Sequence, residues 1–209
     1  MVKTKNLVVI GIDESYDRTG ITVLNNKEIL ELVSLDLSCV DNNSLKRMKI
    51  QRVLRKLILK YRPKENGKMI IVVERIRLFS RGFVSFNYIK STGALVGAII
   101  DEAYKVGIKV FSVDTRAWKT RVLGSTKKVK NVWGVPEEKW LSVKFCLKLG
   151  LAEDLKLPIT SNRIKKGVFI SPKDGKKYRL DHDLADSVCI ATAGLRMYVE
   201  KSDLLQLEE

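Results

Sequence analysis

Two apolar runs in this chain each end on an acid: residues 7–12 (LVVIGI) lead straight into Asp13, and residues 69–73 (MIIVV) lead straight into Glu74. A short run with no polar alternation reads as a buried strand, so the sheet that holds it must be covered by other elements. Each acid then stands at the end of a buried strand, where an unpaired carboxylate is costly.

The surrounding pattern predicts how that sheet is built. Residues 7–12, 20–24 and 28–35 read as three consecutive strands of an antiparallel meander, turning at the polar DESYDRT stretch and at Asn25-Asn26-Lys27. Residues 44–61 carry Leu45, Met48, Val53, Leu54, Leu57, Ile58 and Tyr61 at helical spacing, with Lys and Arg opposite, and Pro63 and Gly67 end that helix. A helix is expected over 83–106, where Gly93, Ala94, Gly97 and Ala98 favour close approach of a neighbouring backbone. A strand at 108–113 follows, and the strand–helix–strand order implies parallel neighbours. Further on come an amphipathic helix at 137–149, a β-hairpin at 168–180 around Pro-Lys-Asp-Gly, a helix at 183–198 and a polar, frayed tail from residue 201. The expected architecture is α/β: a mixed central five-stranded sheet flanked by helices, with an inserted basic β-hairpin, in a single domain over residues 1–200.

The formal charge of +15 bears on partners rather than on fold. It is concentrated at residues 116–180, with 17 Lys/Arg against 5 Asp/Glu, and at 41–62, with 8 against 1, which leaves the remainder net acidic. An acidic centre between basic flanks suits a metal-dependent enzyme acting on a phosphate polymer, although solvated helix faces alone give the same balance. Nucleic acid is the leading partner and an anionic membrane surface the second. No apolar stretch reaches the roughly 18 residues of a spanning helix, and the first residues lack a signal-peptide pattern, so a soluble, cytoplasmic protein is expected. Cys39, Cys146 and Cys189 are odd in number and far apart, and are expected to be buried, reduced thiols. Gly11 and Gly20 are too sparse for a glycine-rich phosphate loop, which argues against a nucleotide cofactor.

The last helix opens DHDLAD. Asp183 and Asp186, three apart, share one helical face, and the apolar residues after them bury the helix against the sheet. With Asp13 and Glu74 they make four carboxylates at the ends of buried elements, a set whose repulsion a hard divalent cation relieves. Mg2+, with Mn2+ as substitute, is the natural ion, and four carboxylates suffice for two ions about 3.5–4 Å apart acting on a phosphodiester. Each acid also has a plainer use: Asp13 in a turn, Asp183 as a helix cap, Glu74 in an ion pair with Arg75 or Arg77. The ordered combination in a basic chain favours the metal site.

GIDESYDRTGITVL, IIVVERI, YIKSTGALVGAII, VDTRAWKTRVLG and DHDLADSVCIATA occur in the order found in RuvC-type Holliday-junction resolvases, and the chain resembles that family over about two thirds of its length. The resemblance implies the ribonuclease H-like fold, a homodimer, Mg2+- or Mn2+-dependent cutting of branched DNA, and Asp13, Glu74, Asp183 and Asp186 as the catalytic, metal-binding tetrad. It also implies that Lys119 and Lys139 hold phosphate and stabilise developing charge. A junction's two-fold symmetry suits a dimer, with the 83–106 helix as the expected interface. It is compatible with a bacteriophage member, working in its host's cytoplasm.

Departures from the family are specific. Asp13-Glu14-Ser15 replaces the usual Asp-Pro-Gly, adding a charge at Glu14. Arg77 stands where the family often has a junction-opening aromatic; Phe79 follows, with Arg81 nearby, and all three are candidate DNA contacts. Segments 125–136 and 153–180 look inserted, and their Lys127, Lys128, Lys130, Lys173, Lys176 and Lys177 are candidate contacts to DNA arms, a solubilising loop being the alternative. His182 could reach a metal or a neighbouring carboxylate, or serve in capping or DNA contact, and Asp181 is a similar case. A same-fold nuclease acting on flaps or RNA–DNA hybrids, and a non-catalytic protein that binds branched DNA, remain open alternatives.

Overall fold

The computed structural model describes residues 6–26, 28–40, 42–64, 67–75, 86–130, 135–158, 169–170, 176–201 and 205–208. The elements run β1 (Leu7–Asp13), β2 (Arg18–Asn25), β3 (Glu28–Asp36), α1 (Asn43–Tyr61), β4 (Lys68–Glu74), α2 (Phe86–Tyr104), β5 (Lys109–Val113), α3 (Thr115–Leu123), α4 (Trp140–Lys148), β6 (Lys156–Pro158), β7 (Phe169–Ile170), β8 (Lys177–Leu180), α5 (His182–Glu200) and β9 (Leu205–Glu208).

The main sheet has the order β3-β2-β1-β4-β5-β9. β1, β4 and β5 are parallel neighbours, with Ile12 opposite Val73 and Glu74 opposite Val113, while β2 and β3 continue as the expected antiparallel meander. This corrects the five-stranded expectation: the tail supplies a sixth strand, β9, antiparallel to β5. The alternation Leu205, Gln206, Leu207, Glu208 suits a sheet edge, and four residues are too short a run to stand out in sequence. The predicted hairpin is one side of a three-stranded sheet, because β6 pairs with the other edge of β8.

β1 and β4 are buried on both faces. Val8, Ile10, Ile12, Ile71 and Val73 pack with α1 and α2 through Ile50, Leu54, Ile58, Leu95 and Ile99. Leu7, Val9, Ile70 and Val72 face Trp118 of α3 and Cys189, Ile190 and Ala193 of α5. Val143 and Cys146 of α4 then cover the outer side of α5 at Ala185 and Val188. The α1 N-terminus is capped by Asn42, whose side chain accepts from Ser44 N and Leu45 N. The thiol expectation needs one correction, because Cys39 is exposed while Cys146 and Cys189 are buried.

The approach of α5 to the sheet is set by two glycines. A Cβ on Gly11 would lie 2.4 Å from the Ala191 nitrogen, and one on Gly20 would lie 2.3 Å from the Asp183 carbonyl oxygen. Only residues without a side chain allow this backbone contact. Thr22 and Ser187 add a buried hydroxyl–hydroxyl bond of 2.7 Å across the same interface. The acidic start of α5 is thereby pressed against the end of β1.

Candidate metal and phosphate site

Asp13 and Glu74 end adjacent parallel strands, and strand alternation turns both toward α5. Asp183 and Asp186 lie in the first turns of α5. The cap of this helix is Asp181 rather than Asp183: its carboxylate accepts from Leu184 N at 3.0 Å and from Ser34 Oγ, which in turn receives Arg18. Asp183 is left to accept from His182 Nδ1 at 2.9 Å. This gives His182 and Asp181 definite roles.

Lys139, just before α4, carries its ammonium into the middle of the acids. Nζ lies 3.4 Å from Asp13 Oδ2 and 3.9 Å from Asp183 Oδ1, and it donates to Asp186 Oδ2. Burial favours its neutral amine, but the three carboxylates outweigh that and hold its pKa far above the ordinary lysine range. Burial raises the Asp13 carboxyl well above its usual range; Lys139 opposes this, and Asp186, Glu74 and Asp183 reinforce it. For Asp183, burial pulls upward and is outweighed by His182, Lys139 and Arg18, so its pKa is lowered.

Glu74 is held from α3 rather than by Arg75: it accepts from Thr115 Oγ1 and, at 3.0 Å, from Trp118 Nε1. Arg75 turns instead to Ser112. Lys119 is not among the carboxylates. Its Nζ donates to the Glu138 carbonyl at 3.0 Å, tethering the segment that presents Lys139. Thr115, Trp118, Ser34 and Arg18 were not singled out from sequence, because each acts through a contact between distant segments.

Among the described residues no group of three or more His, Cys, Asp or Glu side chains is gathered tightly enough to hold a metal ion, and the cation between Asp13 and Asp186 is Lys139. The donor set nonetheless suits a hard divalent cation. It is all carboxylate oxygen, and Asp186 Oδ1 is buried without a hydrogen-bond partner, leaving an acceptor for a further cation.

Solved structures resemble nearly all of the chain. RuvC of Thermus thermophilus in complex with a Holliday junction substrate superposes with a TM-score of 0.61 at 18% identity, over 96% of this chain and 99% of that one. The fold is that of RuvC. A second Thermus thermophilus RuvC structure gives 0.59 at 16% identity, over 96% and 99%, and the yeast mitochondrial Holliday junction resolvase Ydc2 gives 0.53 at 14%, over 92% and 79%. No family model matches the sequence, and no curated protein matches it.

On this RuvC fold, Lys127, Lys128, Lys130, Lys176 and Lys177 are exposed. Arg77, Phe79, Arg81 and Lys173 lie outside the described residues. Among the described residues no helix is long and apolar enough to cross a membrane.

Proposed function

We propose that this chain is a divalent-metal-dependent endonuclease that resolves four-way DNA junctions. The observation carrying this reading is the convergence of Asp13, Asp183 and Asp186 on one half-buried lysine, beside Glu74, on a fold shared with RuvC. Asp13, Glu74, Asp183 and Asp186 would hold Mg2+ or Mn2+, two ions per site. Bound ions of this kind activate water and stabilise attacking and leaving oxygens at a phosphodiester.

The chain's own residues prepare that site. Thr115 and Trp118 fix the Glu74 carboxylate, while the capping of α5 by Asp181 fixes the turn that carries Asp183 and Asp186. Lys139, cationic at any working pH, compensates the acids before a cation arrives and offers positive charge to a phosphate oxygen. Exposed lysines on the inserted segments suit the arms of a branched polyanion. A junction has two strands to cut, which fits a homodimer. The small-residue face of α2 suits its interface: among the described residues nothing lies within 4 Å of where a Cβ on Gly93 or Gly97 would stand.

The test is cleavage of a labelled four-way junction, a linear duplex and an RNA–DNA hybrid, with and without Mg2+ or Mn2+. Two symmetric nicks in the junction, requiring metal and lost in Asp13→Asn, are expected. Preferential cleavage of the hybrid, or a fully active Asp13→Asn, would reject the reading.

A further inference from the structure

Asp13 is followed by a second buried acid. Glu14 is 6% exposed, and its Oε2 has no hydrogen-bond partner among the described residues. A buried carboxylate ordinarily collects hydrogen bonds to every oxygen or an ion pair, because leaving an acceptor dry is unfavourable. Glu14 has neither in full.

Where this carboxylate sits follows from the ladder. Arg75 N–H donates to Val113 on β5, so the preceding N–H, that of Glu74, turns the other way, toward β1. Glu14 lies one residue beyond the end of β1, and its carboxylate takes the N–H of Glu74 along with its own. The side chain thus extends the β1–β4 ladder past the last strand pair and joins the two strand ends that carry Asp13 and Glu74. The largest charge effects on it come from those same two carboxylates, both repulsive. Burial and this repulsion push its pKa well above the usual carboxylate range.

A negative group placed between two others, tied to the backbone of one of them and left with an open oxygen, lacks a positive partner among the described residues. Lys139 does not supply it, since its ion pairs go to Asp13, Asp183 and Asp186. Arg75, next to Glu74, bonds to Ser112 and forms no ion pair with Glu14. We propose that Glu14 is a fifth carboxylate of the cation-binding set, joining Asp13 and Glu74 at the ends of β1 and β4 and adding its charge and its open Oε2 to the hold on a divalent cation.

This rests on the metal-site reading above, and the experiment separates the two. Mn2+ binding to the full-length chain is measured without DNA, from the electron paramagnetic resonance signal of free Mn2+, for wild type, Glu14→Gln, Glu14→Ala and Asp13→Asn. Thermal unfolding is followed with and without Mn2+. Gln keeps an acceptor for the Glu74 N–H and removes only the charge. Glu14→Gln is expected to weaken Mn2+ binding about tenfold, the order found for groups supporting a metal ligand. In the absence of metal its midpoint should not fall, because a buried repulsion has been removed. A role confined to the strand ends would show the reverse, a lower midpoint in Glu14→Ala with and without Mn2+ and unchanged affinity in both variants. If Asp13→Asn loses Mn2+ while both Glu14 variants bind as wild type does, the fifth-carboxylate assignment fails alone. If wild type does not bind Mn2+, the metal-site reading fails and this inference with it.

Discussion

Asp186 is 1% exposed, and the partner its carboxylate has is the ammonium of Lys139. Taking that partner away leaves a buried charge uncompensated, a change that typically costs about 3 kcal/mol or more. Lys139→Met keeps most of the aliphatic packing of the side chain and removes the charge, so the metal-free variant should unfold at a clearly lower temperature than wild type. A divalent ion bound by the same acids restores the missing charge, and ligand binding to the folded state raises stability. The rise in unfolding midpoint on adding Mg2+ should therefore be larger in Lys139→Met than in wild type. Differential scanning fluorimetry over an Mg2+ series measures this directly, and equal rises would show that lysine and metal do not share these carboxylates. Cleavage should fall in the same variant, since the positive charge offered to the phosphate is gone.

At the scale of elements, the decisive contact is backbone against backbone where α5 crosses β1 and β2. Gly20 has the Asp183 carbonyl oxygen 2.3 Å from where its Cβ would be, and a main-chain oxygen at a helix start cannot swing aside as a side chain can. Gly20→Ala must therefore displace the first turn of α5. Overpacking of this kind costs about 1–3 kcal/mol, measurable by urea denaturation. Because Asp183 and Asp186 ride on that turn, the displacement should also lower the cleavage rate by about a hundredfold while junction binding without metal changes little. A loss of binding parallel to the loss of cleavage would mean the damage is global. This contact also marks how far sequence could be followed. The strands of the main fold other than β9, four of the helices and the four acids follow from local patterns: apolar runs, helical spacing, and acids at element ends. Gly11 and Gly20 were legible only as too few for a phosphate loop; their use in packing α5 depends on a partner more than 150 residues away. Trp118 and Thr115 were equally opaque, since nothing near residue 115 announces that α3 will hold Glu74. Lys139 and Lys119 were indistinguishable as two lysines in basic stretches, and the fold alone puts one among the acids and the other on a carbonyl.

Over the whole molecule, positive charge and the acids of the candidate site occupy different parts of the chain. The carboxylates sit at the ends of β1 and β4 and the start of α5, whereas 17 of the 39 Lys and Arg residues fall between 116 and 180. The stretch over 125–130 is anchored where Val129 N–H donates to the Glu137 carbonyl at 3.1 Å, two residues before Lys139. Lys127, Lys128 and Lys130 are thus exposed on a stretch tied to the edge of the site. Lysines serving only solubility would leave binding unchanged when removed. Lysines on DNA phosphates release counterions on binding, each contact contributing about −0.9 to the slope of log K against log salt. Replacing all three by Ala should flatten that slope by about 2–3 for a four-way junction and weaken binding most at low salt, with metal-free stability unaltered because the side chains are exposed. The measurement is a fluorescence-anisotropy titration of the junction across a salt series, without divalent cation so that cleavage does not intervene. A slope equal to that of wild type would remove this segment from the DNA-binding surface while leaving the carboxylate site and its chemistry untouched, since the acids and Lys139 lie on separate, buried or half-buried positions.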